Sequence, residues 1–502
     1  MGQMFKIKQA PLFFCNLHRS KNQKTSIKSQ KKMKQFLLLF VCAMITSFAH
    51  SQENLPTDYL TKEFHQGRRE AFRALMPANS VAVVFSYPER VFSRDIDYNY
   101  HANPDMYYLS GYKEPNAILL IFKEEQGSEK YNEVLFVRER NAAHEMWTGR
   151  RLGVEGAKSK LGFTTVYNGK DFNAFAIDFA KFDKVIYDKF PTDVAENNNP
   201  DNLYALLKSF KTKAGITQEN ETSTELFNKI TSSLREIKTP EELVLMRKTV
   251  KLSCIAHNEV MKAVGPDMSE NEADGIHAYI HKHYGAEGEG YGPIVGAGAN
   301  GCILHYWENN ATKIDNQLLL MDVGSEYHGY SADVTRTIPA NGKFTEEQKA
   351  IYQIVYDAQE AVFKICKEGT PLVALNETAK DVIAKGLIKL GIITDPKDVK
   401  LYYPHSCSHF LGLDVHDKGT YNGPQTLIKE NMILTVEPGI YIPANSKCDK
   451  KWWNIGVRIE DDILMLKDSY ENLSADSPRK WQDIEALAKQ KSTFNDMKLP
   501  KI

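Results

Sequence analysis

The stretch LLLMDVGSEYHGYSADVTRTIP, residues 318–339, decides how the second half of this chain folds. Four apolar residues lead into Asp322, a glycine-bounded turn follows, and Asp333 stands 11 residues later on the returning segment. Apolar runs of this kind are typical of strands, so the stretch predicts a hairpin. The hairpin would bring the two carboxylates together, where they would repel each other unless a proton or a cation lay between them. We therefore expect a metal site at this turn.

A second block of sequence repeats the arrangement. ILTVE (433–437) and GVRIE (456–460) are apolar runs that end in Glu, 23 residues apart. The segment SHFLGLDVHD (408–417) lies between the two blocks and supplies imidazoles. Four carboxylates and one imidazole suit two divalent cations, and the oxygen-rich set suits Mn²⁺, Co²⁺ or Fe²⁺, with Zn²⁺ also compatible. The predicted metal ligands are Asp322, Asp333, His409, Glu437 and Glu460.

Outward from these blocks, the pattern of strands and helices indicates two structured domains. A boundary is expected near residues 231–241, where Thr239 caps a helix and Pro240 occupies its first position. Strands expected at 81–85, 117–122, 133–137 and 184–187 alternate with helices before the boundary, which is typical of a mixed α/β domain. Beyond it we expect helices at 241–264, 269–284, 345–368 and 376–390, and strands at 317–322, 331–338, 432–436, 440–442 and 457–465. The predicted fold class is α+β. We expect an upstream extension and signal segment (1–51), an N-terminal α/β domain (52–235), a second domain (236–475) and a C-terminal tail (476–502).

Composition and charge exclude several classes of protein. The 502 residues are 42 % hydrophobic and 25 % charged, which are globular values. The formal charge of −1 argues against a nucleic-acid binder, whose domain would be basic. Residues 1–51 carry nine Lys and Arg and no acid, so residues 52–502 carry 54 basic and 64 acidic residues and a charge of −10. The two parts of the sequence therefore differ in character.

The basic N-terminal segment has the pattern of a secretory signal. Lys31, Lys32 and Lys34 precede an apolar run of 13 residues (36–48), and small residues follow at Ala49 and Ser51. The run is shorter than the roughly 20 residues that a membrane-spanning helix needs. We expect cleavage near Ser51, a secreted or periplasmic location and no membrane anchor. Residues 1–32 are too long and too basic for an ordinary signal n-region, so we expect Met33 rather than Met1 to be the true start.

Three other patterns receive structural interpretations. GAGANG (296–301) matches a dinucleotide-binding motif, but no helix pattern follows it, so we expect a tight loop that delivers His305. His277 and His281 lie one helical turn apart without a local carboxylate or thiol, and we expect a solvated helix face. Five widely spaced cysteines remain after residue 51, with no CxxC pattern, so we expect free, buried thiols rather than disulfides.

At this point the sequence resembles the pita-bread metallopeptidases, in particular their aminopeptidase P group. GPIVGAGANGCILHY, NGKFTEEQKAIYQIV, SHFLGLDVHD, LTVEPGIYI and GVRIEDDI carry the resemblance together with the opening stretch, and they span about 292–463. YHANPDMYYLSGYKEPNAILLIF (100–122) and RERNAAHEMWTGRRLG (138–153) extend it to the N-terminal domain. The resemblance implies a creatinase/prolidase-type N-terminal domain followed by a pita-bread catalytic domain.

The resemblance also implies the chemistry and the role of each residue. It implies two metal ions, usually Mn²⁺. The implied bridging or chelating ligands are Asp333, Glu460 and Asp322, and the implied ligands of one metal alone are His409 and Glu437. The implied reaction is hydrolysis of the bond between an N-terminal residue and a proline by a hydroxide that bridges the metals. Implied partners are peptides with proline second, and a second copy of the chain in a dimer or tetramer. The implied catalytic residues are Glu437 as the proton carrier, the substrate-facing His305 and His416, the active-site His405 and the supporting Arg458.

Two alternatives stay open at this stage. Prolidase, which cleaves Xaa-Pro dipeptides, shares these motifs, but only 22 residues separate Glu437 from Glu460 here, which favours aminopeptidase P. A metal-free pita-bread scaffold for partner binding is the other alternative. Such scaffolds lose ligands, whereas this chain keeps all five. His405 is followed by Ser406 where the family often has glycine, so the role of His405 is the least firmly implied.

Overall fold

The structure, a computed structural model, describes residues 56–496. The predicted upstream extension and signal segment, residues 1–51, lie outside the described residues, as does the end of the predicted tail. Cleavage near Ser51, export, and the choice between Met1 and Met33 therefore stay predictions. Among residues 56–496, no helix is both long enough and apolar enough to cross a lipid bilayer.

A mixed sheet flanked by helices forms the N-terminal region. Its strands are β1 (Ser80–Phe85), β2 (Val91–Ser93), β3 (Ile96–Asp97), β4 (Ile118–Gln126), β5 (Tyr131–Val137), β6 (Val166–Asn168) and β7 (Lys184–Tyr187), and its helices are α1 (Lys62–Leu75), α2 (Pro104–Ser110), α3 (Ala142–Thr148), α4 (Gly153–Leu161), α5 (Leu203–Lys213) and α6 (Glu221–Arg235). Five strands form one sheet in the order β6-β5-β4-β1-β7. Strand β1 pairs antiparallel with β4 and parallel with β7. Its interior position in the sheet explains why residues 81–85 are all apolar, because every residue of β1 is buried.

Small antiparallel sheets packed against long helices form the region after residue 239. The helices are α7 (Pro240–Ala263), α8 (Glu270–His283), α9 (Glu346–Phe363), α10 (Leu372–Lys389) and α11 (Trp481–Leu487). The strands are β8 (Gly288–Glu289), β9 (Ile294–Ala297), β10 (Leu318–Asp322), β11 (Ser325–Tyr327), β12 (Tyr330–Ser331), β13 (Thr335–Pro339), β14 (Ile433–Val436), β15 (Gly439–Ile442), β16 (Ile455–Arg458), β17 (Asp461–Met465) and β18 (Tyr470–Asn472). The sheets have the orders β13-β10-β9, β12-β11-β8, β14-β17-β18 and β15-β16. One hydrophobic core joins helices and strands, with Val355 of α9, Leu375 of α10 and Ile463 of β17 fully buried.

Local sequence signals account for the helix positions. Thr239 and Glu242 form a reciprocal capping box with Pro240 at the first helical position, as expected. Thr345 and Gln348 form a second capping box at the start of α9. These caps satisfy amide groups that would otherwise lack partners in the first turn. The four helices predicted after the boundary are present, with ends that differ by up to five residues.

Two predicted strands are each divided in the structure. The segment 331–338 is broken between β12 and β13, and Asp333 lies in the gap rather than on a returning strand. The segment 457–465 is broken at Ile459 and Glu460, because β16 pairs with β15 whereas β17 pairs with β14 and β18. The chain thus changes sheets at Glu460, whose amide donates to the carbonyl oxygen of Thr335 at 3.1 Å. Periodicity alone gave no sign of this change of sheet.

The five cysteines in the described residues are all free, as predicted. Cys254, Cys366 and Cys407 are buried, whereas Cys302 and Cys448 are half-buried. Burial raises the pKa of the Cys407 thiol to about 12. A thiol with so high a pKa is a poor nucleophile at neutral pH.

A buried ionic hub joins the end of α6 to the loop after residue 409. The guanidinium of Arg235 donates to Asp105 of α2 at 2.9 Å and to Asp414 at 2.7 Å, and it also pairs with Asp417. Lys238 donates to the other oxygen of Asp417 at 2.9 Å. The predicted domain boundary at 235/236 falls beside this hub, and the boundaries themselves stay a prediction. The hub links the N-terminal region directly to the segment that carries His409 and His416.

We predict that Arg235→Ala lowers the free energy of unfolding by about 3–5 kcal/mol, because it removes the cation that the buried carboxylates share and leaves Asp105 and Asp417 with one lysine each. The matched control is Arg247→Ala, which removes a pair with Glu471 whose side chains are 45 % and 40 % exposed. Removal of such an exposed pair is expected to cost less than about 1 kcal/mol. Guanidinium chloride unfolding of both variants measures the difference. Equal losses would contradict a structural role for the hub.

Candidate metal centre

Nine predicted site residues meet in one cavity of about 460 Å³. The cavity is a concave site of the size that small ligands and short peptides occupy. Leu304, Ser406 and Ser408 complete its lining. The nine residues are His305, Asp322, Asp333, His405, His409, His416, Glu437, Arg458 and Glu460.

The acids reach the cavity because each lies at the end of a strand or within two residues of one. Asp322 is the last residue of β10, and it pairs in register with Thr335 at the start of β13. Glu437 directly follows β14, and Glu460 lies between β16 and β17. An isolated bridge between Thr335 and Glu460 joins the two blocks. The hairpin predicted from the opening stretch therefore does bring its carboxylates to one place, although Asp333 is not itself in a strand.

His409 is oriented as a metal-binding imidazole would be. Its Nδ1 donates to the carbonyl oxygen of Phe410 at 2.9 Å, which leaves the lone pair on Nε2. That Nε2 lies 3.3 Å from Asp333 Oδ2 and 3.4 Å from Glu437 Oε1. Ligand atoms of Asp333, His409 and Glu460 lie within 4.8 Å of one another. A lone pair that faces carboxylate oxygens requires a proton or a cation between them.

Burial and the close approach of the acids raise the pKa values of Asp322, Glu437 and Glu460. Burial raises the pKa of Asp322 to about 6, against the opposing charge of Arg458. Burial, together with the charge of Asp333, raises the pKa of Glu437 to about 7. The same causes hold the pKa of Glu460 well above its usual range. For His409, burial lowers the pKa, but Asp333 and Glu437 outweigh it and raise the value to about 9. The donor set therefore favours added positive charge, and it fits two divalent cations.

Arg458 begins a chain of hydrogen bonds that runs through Tyr441 to His405. Its guanidinium pairs with Asp322 and donates to the hydroxyl oxygen of Tyr441 at 2.9 Å. The Tyr441 hydroxyl donates to Nε2 of His405 at 2.9 Å, and His405 Nδ1 donates to the carbonyl oxygen of Ser406 at 2.8 Å. Burial lowers the pKa of His405 to about 4, so this imidazole is neutral near pH 7. His405 is thus held in one tautomer within the cavity.

Glycines allow the loop that carries His305 to pack closely against Arg458. The segment 296–301 contains β9 and one short 3₁₀ turn, with no helix to receive a dinucleotide, as predicted. A Cβ on Gly456 would lie 2.1 Å from the carbonyl oxygen of Gly301. Only glycine permits this approach, and it brings the loop against β16, whose last residue is Arg458. Within the motif, a Cβ on Gly296 would lie 2.8 Å from the carbonyl carbon of Asn300, and Gly298 has a φ of +54°, so packing and backbone conformation explain the GxGxxG match.

Sequence reasoning missed Tyr291, which contacts two of the predicted ligands. Its hydroxyl oxygen lies 2.6 Å from Asp322 Oδ1 and 2.7 Å from Asp333 Oδ1. Burial and the two carboxylates hold the pKa of Tyr291 well above its usual range, so it stays a donor. Thr335 was also missed, and its hydroxyl donates to Glu460 Oε2 at 2.5 Å. Tyr291 lies in the loop between β8 and β9 and Thr335 is the first residue of β13, so only the pairing of distant segments brings them to the site.

The expectation for His277 and His281 was wrong. Both side chains are fully buried beside His257 of α7, with the rings of His257 and His277 centred 4.8 Å apart. Burial lowers the pKa of His277 to about 3, so it is neutral. The face of α8 that we expected to be solvated instead packs on α7. This contact would have been predicted if the two histidines had been treated as buried core residues.

Comparisons with known proteins agree with this geometry. Residues 244–467 match the model of metallopeptidase family M24, and residues 65–187 match the aminopeptidase P N-terminal domain. The Xaa-Pro aminopeptidase of Escherichia coli is 35 % identical over 444 residues, which cover 85 % of this chain and 98 % of that protein. Xaa-Pro aminopeptidase 3 of Dictyostelium discoideum is 31 % identical over 97 % of this chain and 94 % of its own length.

A solved structure extends the agreement to the fold. Aminopeptidase P from Escherichia coli with the inhibitor Pro-Leu matches with a TM-score of 0.76 and 33 % identity, covering 86 % of this chain and 98 % of that one. The match confirms the predicted fold class, a mixed α/β N-terminal domain followed by a pita-bread catalytic domain. Family M24 implies divalent metal ions, in agreement with the donor set described above. The chain belongs to metallopeptidase family M24, in the group of aminopeptidases P.

Proposed function

We propose that this protein is an Xaa-Pro aminopeptidase that removes the first residue of peptides whose second residue is proline. The observation that carries the proposal is the convergence of four carboxylates, one oriented imidazole and three further histidines in one cavity. The cavity lies in a chain that aligns with 98 % of the Escherichia coli Xaa-Pro aminopeptidase. We propose Mn²⁺ as the native metal, because oxygen-rich ligand sets with one imidazole suit it.

We assign the metal ligands to Asp322, Asp333, His409, Glu437 and Glu460. Two divalent cations held there would lower the pKa of a water molecule and polarise the scissile carbonyl group. The Glu437 carboxylate lies in the same cavity, where it can accept a proton from water and pass it to the leaving proline nitrogen. The Thr435 hydroxyl donates to Glu437 Oε1 at 3.1 Å and so fixes the orientation of this carboxylate.

The remaining histidines are assigned to the substrate. His305 and His416 line the cavity and can donate hydrogen bonds to the carbonyl oxygen as it gains negative charge. His405, fixed between Tyr441 and the Ser406 carbonyl, is assigned to orientation of the peptide. A proline nitrogen carries no hydrogen, so peptidases that must recognise an N–H at that position handle this bond poorly. A site that relies on carbonyl recognition avoids that requirement.

A peptide library tests the proposed function and separates it from dipeptidase activity. We expect the Mn²⁺-loaded protein to release single N-terminal residues only where proline is second, as read by mass spectrometry. The chain between Glu437 and Glu460 is a short connection through β15 and β16, which favours the aminopeptidase. Cleavage restricted to Xaa-Pro dipeptides would instead identify a prolidase. No cleavage together with no bound metal would favour a binding scaffold.

Two substitutions test the assigned site, in which Glu437 is both a ligand and the proton carrier whereas Asp333 is a ligand only. Glu437→Gln removes the proton acceptor and is expected to lower kcat by at least about 100-fold. Asp333→Ala removes a ligand and is expected to abolish activity together with metal content, measured by elemental analysis. Asp381→Asn, which changes an exposed acid paired with Lys385, is the matched control. Near-normal turnover in either site variant would refute the assignment.

The contacts of Tyr291 predict a role in metal affinity. We expect Tyr291→Phe to weaken Mn²⁺ binding about 10- to 100-fold, because Asp322 and Asp333 lose the donor that orients them. Calorimetric titration of the metal measures this change independently of turnover. Tyr356→Phe, at a half-buried position on α9 that does not line the cavity, serves as the control. An unchanged affinity in Tyr291→Phe would show that the tyrosine does not position the ligands.

A further inference from the structure

The loop after the 3₁₀ turn presents an exposed tryptophan at the edge of the metal cavity. Trp307 is 69 % exposed, whereas Leu304 and His305 of the same loop line the cavity. The ring of Trp307 lies nearly parallel to that of His305, at 12° and with 6.0 Å between the ring centres. The indole therefore continues the wall of the cavity outward from a residue that faces it.

The loop around Trp307 is rigidly held. The hydroxyl of Tyr306, the preceding residue, donates to Oε2 of the fully buried Glu270 at 2.8 Å. The amide of Ala311 donates to the same oxygen at 2.8 Å. Asn309 accepts from the amide of Val295 at 2.9 Å and donates to the carbonyl oxygen of Pro293 at 3.0 Å. Both sides of Trp307 are thus anchored, and its exposure is a feature of an ordered loop.

An exposed indole on a fixed loop is suited to binding an apolar group. Transfer of aromatic surface from water to an apolar contact is favourable, and aromatic partners add a further preference for stacking. Because the loop is already ordered, binding does not require the entropy loss of arranging it. The other loop residues near the rim, Ile303 and Leu304, are also apolar. This rim therefore favours an apolar side chain of a bound peptide over a charged one.

The direction of the peptide selects which of its residues reaches the rim. In an aminopeptidase the chain starts at the first residue, so the free amine lies inside the cavity beside the metal ligands. The peptide then leaves toward solvent after the proline. Trp307 is exposed and lies outward of His305, which is assigned to the carbonyl group of the scissile bond, so we place it where the residue after proline passes. This step rests on the proposed function.

We propose that Trp307 is a specificity residue, an aromatic surface that binds an apolar or aromatic side chain at the third position of Xaa-Pro peptides. The substrates favoured by this protein are then peptides in which a large apolar residue follows proline. Trp307 is not among the residues that line the metal cavity, so we expect it to affect substrate binding rather than the chemical step. Substitution of Trp307 is therefore expected to change KM rather than kcat.

The test compares tetrapeptides Ala-Pro-Zaa-Ala in which Zaa is phenylalanine, leucine, glycine or aspartate. We expect the unmodified protein to favour phenylalanine and leucine over glycine by about five-fold in kcat/KM, mainly through KM. Trp307→Ala should abolish this preference while the rate on the glycine peptide stays unchanged, and Trp307→Phe should retain most of it. Tyr279→Ala, which removes an aromatic ring that is 56 % exposed on α8, is the matched control and should leave the preference intact.

The outcomes separate this inference from the proposed function. Loss of the third-position preference in Trp307→Ala, with its retention in Trp307→Phe, supports the inference. An unchanged third-position profile in both variants overturns it, as does a change confined to the first position or to the oligomeric state. Failure of the unmodified protein to cleave any Xaa-Pro peptide would refute the proposed function itself. The glycine peptide guards against misfolding, because a misfolded variant would also lose its rate on that substrate.

Discussion

The mutual repulsion of buried carboxylates is the constraint on which the rest of the structure depends. Asp322, Glu437 and Glu460 lie in one cavity, and burial raises the pKa of each. Like charges this close are stable only when cations or protons offset them. Asp322 ends β10, Glu437 directly follows β14 and Glu460 directly precedes β17, so the paired backbone beside each acid fixes its position. The rigidity of the small sheets maintains an arrangement that free side chains would avoid.

Two arginines provide part of the compensating positive charge and hold the acids, or the backbone beside them, through ion pairs and hydrogen bonds. Arg458 pairs with Asp322 inside the cavity. Arg336, which is completely buried, donates to the carbonyl oxygen of Glu460 and to the carboxylate of Asp461, both at 2.6 Å. These contacts fix the point at which the chain passes between sheets. Two guanidinium groups do not balance the acids around them, so the site retains an affinity for further cations.

The sequence predicted which residues form the site better than it predicted the backbone conformation around those residues. All nine predicted side chains line the cavity, because strand ends and carboxylates are visible in a linear pattern. The change of sheet at Glu460 and the gap at Asp333 depend on pairing with distant strands, which periodicity does not encode. Tyr291 was missed because a single tyrosine carries no motif. Alternation along VRIEDDI would have placed Asp462 beside the site, where its Oδ2 accepts from the Asp333 amide at 3.0 Å.

The N-terminal region contributes to the site through the loop that carries its histidines. His416 lies between Asp414 and Asp417, and both acids pair with Arg235 at the end of α6. Arg235 also pairs with Asp105 of α2, which fixes the hub to the N-terminal region. A shift in that region would therefore move the loop and, with it, the ring of His416, whose centre lies 4.4 Å from that of His409. Stability and catalytic geometry are thus coupled through one buried arginine.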